Sequence, residues 1–539
     1  MVTFRLSASS PQDRMLCAAR LLLCAAAFVI AAAIPAGAQS RRSHVSDDLK
    51  RHLDSGDATA TAVIVVGSPA QVDAIAARHG LRVRRRLSSG AVLDVPAGRL
   101  AEVADDNDIP QLSGDHIIRG QMAVTDVSIG ADQAWSGDFG PRHTGVTGQG
   151  IGVAVLDSGV TMVPGLGGQV TARVDMIDPR GSGRDEWGHG THIAGIIAAA
   201  GSLARNETRG VAPAASIVSV KVLGADGSGH VSDLVEGIDW VIANRQRYQI
   251  KVINLSLGAA VEQSWHEDPV CQAIERAWRV NVVTVAAAGN LGKTAEGKEI
   301  LGGVTSPGNC PYAITAGAVN TKGTAFRSDD VIATYSSRGL TRFDHLIKPD
   351  LLAPGNRIRS LLAPGTVIAK EHPELVTGAG RDATLELSGT SMSSAVVAGA
   401  AALLLEARPN AKAEAIRALL QLGSERLPGL GLIQEGAGSL NVLASLAGSQ
   451  GEDAGTTSIA GEQITTGGLS FAETSVGGDH IIWGDHIIWG DHIIWGDHII
   501  WGDHIIWGDH IIWGDHIIWG DHIIWGDHII WGDHIIWGD

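Results

Sequence analysis

Cysteine is scarce in this chain, with four residues in 539. Cys17 and Cys24 fall in the first apolar stretch and would leave with it. Cys271 and Cys310 remain, and in an exported chain such a pair is a candidate bridge, two buried free thiols being the alternative. Long apolar runs are also missing: no segment after Ile34 is long and apolar enough to span a bilayer. Basic charge is thin, with 41 Lys and Arg against 58 Asp and Glu and a net charge of −17. No basic stripe stands out, which disfavours a nucleic-acid partner. From Gly478 onward there are eleven Asp and no Lys, Arg or Glu, and taking those eleven from −17 leaves only −6 for everything before.

What is present begins with an export signal. Arg5, Arg14 and Arg20 form a basic region, Leu21 to Ile34 an apolar core, and Ala36-Gly37-Ala38 a small-residue cleavage site. A membrane anchor is the weaker reading, because the apolar core is short for a bilayer. Residues 1–38 are therefore expected to be removed, leaving a secreted or surface-associated protein.

Residues 39–121 read as a compact α+β module: a strand over Ala60–Val66, a helix over Gln71–His79, strands at Leu81–Arg84 and Ala91–Val95, a helix at Leu100–Ala104, and an extended piece at Ile117-Ile118. From Ile151 the pattern changes. Apolar strands at Ile151–Val155, Ser216–Val222, Val252–Leu255, Val282–Ala286 and Ala313–Ala318 alternate with helical stretches at His192–Ala200, Val231–Ala243 and Pro269–Val280. That alternation predicts an α/β domain over 122–447, a mostly parallel, doubly wound sheet with helices on both faces. Residues 448–477, rich in Gly, Ser and Thr, read as a flexible linker. A tail over 478–539 follows, in which Gly-Asp-His-Ile-Ile-Trp repeats ten times.

Four glycine-bounded turns carry the chemistry. The first strand ends in Val155-Leu156-Asp157-Ser158-Gly159, and ligands of parallel sheets bind beyond such strand ends. Asp185-Glu186-Trp187-Gly188-His189-Gly190-Thr191-His192 opens a buried helix. A metal pair at His189 and His192 would need further ligands, and no Cys or Glu-rich partner stands near. Ala286-Ala287-Ala288-Gly289-Asn290 delivers an amide at another strand end. Ser388-Gly389-Thr390-Ser391 leads into an apolar helix, placing a hydroxyl beside free helix N–H groups. A serine there needs a base, and the base an orienting group.

Asp157, His189 and Ser391 stand in the chain order of the subtilisin triad. With Gly210-Val211-Ala212-Pro213, Lys221 to Gly229, Ile253 to Gly258 and Lys348 to Gly355, the sequence resembles the subtilisin-like serine peptidases over about residues 125–445. The resemblance implies a serine endopeptidase with Ser391 as nucleophile, His189 as base, Asp157 as its orienting carboxylate and Asn290 as oxyanion donor. It implies that Gly227, Ser228 and Gly229 on one side, and Ser256, Leu257 and Gly258 on the other, pair with an extended polypeptide substrate, and that His192 is structural. Where the family usually has Pro and then His behind the nucleophile, Ala395 and Val396 stand here, which predicts altered packing. The chemistry requires no cofactor. The loop Gly201 to Arg209 lacks the family's calcium-binding pattern, so a structural calcium is unsupported and no metal ligand is assigned. The first module resembles the inhibitory propeptide, an intramolecular partner processed between Arg119 and Met122. A constitutive N-terminal domain is the alternative.

Gly114-Asp115-His116-Ile117-Ile118-Arg119 matches the tail unit Gly478 to Trp483 at five of six positions. The tail reads as stacked short strands serving self-association or surface attachment, as repeat expansion without a selected role, or as a mimic of the propeptide end. A different class of protein, an adhesion or assembly protein whose peptidase only matures itself, is the competing reading of the whole.

Overall fold

The computed structural model describes residues 44–471 except 57–58, 88–89, 116–120, 138–144, 202–208, 381–382 and 450–454, together with short strands between 486 and 535. The expected export signal, the extended piece expected at Ile117-Ile118, and Arg119 and Gly120 of the expected processing stretch Arg119 to Met122 lie outside the described residues. Two compact units divide at Ile118 and Arg119.

The first unit is a five-stranded sheet of β1 (His44–Val45), β2 (Thr61–Val66), β3 (Arg82–Leu87), β4 (Gly90–Val95) and β5 (Gln111–Gly114) in the order β1-β5-β2-β4-β3. Helices α1 (Asp47–Asp54), α2 (Pro69–His79) and α3 (Leu100–Ala104) accompany it. The start and stop of α2 are written in the sequence. Ser68 and Gln71 form a reciprocal capping box, Pro69 takes the first turn, and Gly80 closes the helix in the left-handed conformation. Val72 and Ile75 then face Val63, Val65 and Leu93 in one small core.

The second unit begins with α4 (Gln121–Ser128) and α5 (Ala131–Ser136) and is built on β6 (Gly152–Asp157), β7 (Val170–Asp175), β8 (Ser216–Lys221), β9 (Ile250–Leu255), β10 (Val283–Ala287), β11 (Ala313–Asn320), β12 (Val331–Ile332) and β13 (Leu351–Pro354). The order is β12-β11-β10-β9-β6-β8-β7, with β13 also on β11, and every pairing except β11–β12 is parallel. Alternate residues of β6 serve opposite faces. Val153 and Val155 pack in one core with α6 (His189–Ala198) and the long helix Thr390–Ala407. Ala154 and Leu156 pack in the other with α7 (Val231–Asn244) and α8 (Pro269–Arg279). This is the doubly wound architecture, and β6 sits where the strand order reverses, so Asp157 stands at the crevice. Against the expectation that no segment after Ile34 could span a bilayer, Thr390–Ala407 is long and apolar enough to do so, yet it is packed inside this core.

The structure departs from the sequence reading at the C-terminal side. The flexible linker expected over 448–477 contains an antiparallel hairpin, Thr456–Ile459 with Glu462–Thr465, followed by a packed segment. Ile459 and Ile464 enter the main core, and Leu469 and Phe471 pack with Leu432 and Ala437. The Gly-Ser-Thr composition hid two isoleucines, Ile459 on the first strand and Ile464 on the second, joined through Ala460-Gly461, whose φ angles of +52° and +86° make the hairpin turn. In the tail, alternate units pair in parallel, His486 with His498 and His492 with His504, so two hexapeptides make one turn of the stack.

Candidate active site

β6 carries four apolar residues to Asp157, which is fully buried. Gly159 then turns the chain at φ +97°, where a Cβ would meet the Gly183 carbonyl oxygen at 2.7 Å, so only glycine fits. His189 is the first residue of α6, three residues earlier than the helix start read at His192. Its Nδ1 lies 2.9 Å from both carboxylate oxygens of Asp157. Close approach depends on Gly190, whose absent Cβ would stand 2.1 Å from the Gly159 carbonyl oxygen. Burial alone would lower the His189 imidazole, but the Asp157 charge and hydrogen bond outweigh it and hold it above its ordinary value.

A second carboxylate supports this pair. Asp185, almost fully buried, accepts from Ser158 Oγ, the Gly188 and Thr191 amides and Thr191 Oγ1 at 2.6–2.8 Å. Ser158 Oγ also lies 3.2 Å from Asp157 Oδ1. Asp185 therefore caps the first turn of α6 and braces the turn that carries Asp157. Burial pushes its carboxyl up despite those hydrogen bonds. Sequence reading quoted Asp185 without giving it a role. The available signal was an acidic residue just ahead of a helix start.

His192, one turn further, is a different case. Its Nε2 lies 3.1 Å from the carbonyl oxygens of Ile358 and Leu385, tying α6 to two neighbouring strands. Burial, and then the charge of His189, lower its imidazole to about 3.

Ser391 is the second residue of the helix Thr390–Ala407. Its Oγ donates to the Ser256 carbonyl at 3.0 Å, and Ser256 Oγ returns a bond to the Ser391 carbonyl at 2.8 Å. Its hydroxyl bond therefore goes to Ser256, not to His189. Catalytic hydrogen bonds are often long or poorly aligned before substrate arrives. Asn290 follows β10. Its Oδ1 accepts from the Thr390 amide at 3.0 Å and lies 3.2 Å from Thr390 Oγ1. That fixes the amide and leaves Nδ2 to donate, with no hydrogen-bond partner among the described residues.

A cleft of about 670 Å³ runs from His189 between two backbone edges. Gly227, Ser228 and Gly229 lie along one edge and Ser256, Leu257 and Gly258 along the other, with Leu223, Leu234 and Val270 in the apolar lining. Gly229 is needed there, since a Cβ would stand 2.1 Å from the Val222 carbonyl oxygen. Cys271 and Cys310 are joined as a disulfide behind this cleft. Ala395 and Val396, the two departures behind Ser391, are both fully buried in the core. Among the described residues no group of three His, Cys, Asp or Glu gathers as a metal site, and residues 202–208 of the loop read for calcium lie outside them.

The model of the Subtilase family matches residues 148–438, which include β6, α6, the cleft edges and Ser391. The chain belongs to the subtilase family. The peptidase is 36% identical over 308 residues to Serine protease AprX of Bacillus subtilis (strain 168), covering 56% of this chain and 67% of that relative. It is 33% identical over 297 residues to Subtilisin Savinase of Lederbergia lenta, covering 54% of this chain and 91% of the relative. Subtilisin E of Bacillus subtilis (strain 168) is 32% identical over 354 residues, covering 64% and 79%. The peptidase is thus a serine endopeptidase that acts on polypeptides.

Proposed function

We propose that the peptidase is exported as a precursor and hydrolyses peptide bonds through Asp157, His189 and Ser391. The observation that carries this reading is His189 Nδ1 held between both Asp157 oxygens, at the mouth of the cleft whose wall residue Ser256 is bonded to Ser391. Nδ1–H donates to Asp157, which leaves Nε2 as the base. Ser391 Oγ attacks the scissile carbonyl carbon, its proton passes to His189 Nε2, and the carbonyl oxygen takes the negative charge. Asn290 Nδ2 and the Ser391 amide stabilise that oxyanion. Collapse expels the amine, which takes the proton from His189 and leaves an acyl-serine. Water activated by the same Nε2 then releases the acid.

An extended substrate would pair with Gly227–Gly229 and Ser256–Gly258 as neighbouring strands. The first unit would act as an intramolecular inhibitor removed between Arg119 and Met122. Mass spectrometry of the exported chain tests activity and processing together. The expected result is a mature start at Arg119–Met122 that Ser391→Ala abolishes. A wild-type chain beginning at Gln39 overturns the processing reading.

A second reading concerns the tail. Its parallel pairing of identical units supports a role in self-association or surface attachment, in which peptidase activity serves maturation. Deleting residues 478–539 would then abolish assembly and leave the kinetics on a small peptide unchanged.

A further inference from the structure

The disulfide stands behind the substrate cleft, and both of its ends run directly into cleft-lining residues. Cys271 lies in the first turn of α8, immediately after Pro269 and Val270, which line the cleft. Cys310 closes the short loop that begins with Ser306 and Pro307, which line it too. Both cysteines are fully buried. The wall residues Ser256 to Ala260 follow β9 (Ile250–Leu255) directly and line the cleft.

Ser306 is the hub. Its amide and carbonyl exchange two hydrogen bonds with Ala259, at 3.0 and 2.8 Å, which clamp the end of the wall. Its hydroxyl donates to Asp268 Oδ2 at 2.7 Å, and Asp268 caps α8 through the Val270 amide at 2.8 Å. The loop and the helix are thus joined twice, by the Asp268–Ser306 hydrogen bond and by the covalent bridge. Further along the wall, Ser256 exchanges hydrogen bonds with Ser391. The bridge itself touches none of Asp157, His189, Asn290 or Ser391.

We propose that the Cys271–Cys310 disulfide positions the wall of the substrate cleft, so that its reduction weakens substrate binding while leaving the chemistry at Ser391 intact. The inference deepens the reading of this cleft as the peptide-binding site and rests on it. Helix α8 and the Ser306 loop approach the wall from behind and from its end. If they separate, the wall loses the fixed strand geometry that an extended peptide needs, and ordering it again must come out of the binding energy. The catalytic residues are carried by β6, α6, β10 and the Thr390–Ala407 helix, and the wall meets them only through Ser256, which follows β9 directly, at the opposite end from the Ala259 that Ser306 clamps. Reduction by a dithiol supplies two electrons and two protons, giving two thiols and the oxidised reductant. Because both sulfurs are buried, the wall must open for the reductant to enter. An occupied cleft should therefore protect the bridge, since binding and opening oppose each other through one equilibrium.

Three measurements on the full chain test this. In the Cys271→Ala/Cys310→Ala variant, KM for a peptide substrate should rise about tenfold, with kcat within about twofold and unchanged fluorophosphonate labelling of Ser391. Should that variant fail to fold, Ser306→Ala, which keeps the disulfide but severs the link to Asp268, should move KM in the same direction. Reduction of the wild-type bridge by dithiothreitol should slow when a product-like peptide saturates the cleft. An unchanged KM in a folded variant, a loss confined to kcat, or a reduction rate indifferent to the bound peptide would each overturn the proposal. Absent labelling of Ser391 in the intact wild-type enzyme would instead overturn the reading of the site.

Discussion

Asp157 presents both carboxylate oxygens to the same nitrogen of His189, each at 2.9 Å. In the proposed mechanism this arrangement fixes the tautomer that makes Nε2 the base and stabilises the imidazolium once the proton has moved. Asp157→Asn keeps the shape but removes the charge and can present the wrong hydrogen-bonding partner. The expected loss is about 10⁴-fold in kcat with the fold preserved, a scale known for the equivalent change in serine proteases. Steady-state kinetics and a thermal melt on the same sample check it.

The pH profile follows from the same contact. His189 must be neutral to accept a proton, and Asp157 holds its imidazole above the ordinary value of 6.5. Activity should therefore be full at alkaline pH and fall as pH drops through a midpoint above 6.5. In Asp157→Asn the residual activity should show that limb moved to lower pH. Measuring kcat/KM against pH for both proteins decides the point.

Asn290 is held by its oxygen and offers its nitrogen. Asn290→Ala should lower kcat by about 10²–10³-fold, the scale for losing one oxyanion donor in a subtilisin, with a much smaller change in KM. A parallel fall in affinity for uncleaved peptide would mean that the side chain binds substrate and not the developing charge.

Gly190→Ala tests the packing that brings α6 to β6. The new methyl would lie 2.1 Å from the Gly159 carbonyl oxygen, and backbone must yield. A shift of even 1 Å between His189 and Asp157 is expected to cost about 10²-fold in kcat/KM. The folded fraction, read by circular dichroism, separates this from simple unfolding.

His192 should behave oppositely to His189. With its imidazole lowered to about 3, it stays neutral in the folded protein while the unfolded chain takes up a proton below about 6.5. Stability from this group is therefore lost as pH falls from 6.5 toward 3. Imidazole NMR signals should show His189 titrating above its ordinary 6.5 and His192 remaining neutral. Denaturant titrations of His192→Gln should show a flatter acid dependence than the wild type.

The apolar strands and glycine turns made the inner strands of the central sheet legible in the sequence, because β6, β8, β9, β10 and β11 are buried on both faces and read as nearly continuous apolar runs. Helix α6 was harder. It starts His-Gly-Thr behind a glycine cap, a poor helix former by composition, and it holds because Asp185 accepts from Thr191 twice. The edge strand β7 escaped notice because Val170 to Asp175 alternates weakly with charged residues and has half-exposed burial. The hairpin over 456–465 was hidden by composition, for only Ile459 and Ile464 mark it as packed. Asp157, His189, Asn290 and Ser391 were legible as turn residues, whereas the Ser256 carbonyl that holds Ser391 Oγ is a backbone group, invisible to side-chain reading.

The central claim is that Ser391 is a nucleophile activated by His189. Fluorophosphonate labelling of the full chain, followed by peptide mass spectrometry, tests it directly. The account predicts one adduct on Ser391 in the wild type, and its loss in both Ser391→Ala and His189→Ala. Peptide hydrolysis persisting in Ser391→Ala, or an active wild-type enzyme labelled elsewhere and not at Ser391, would contradict it.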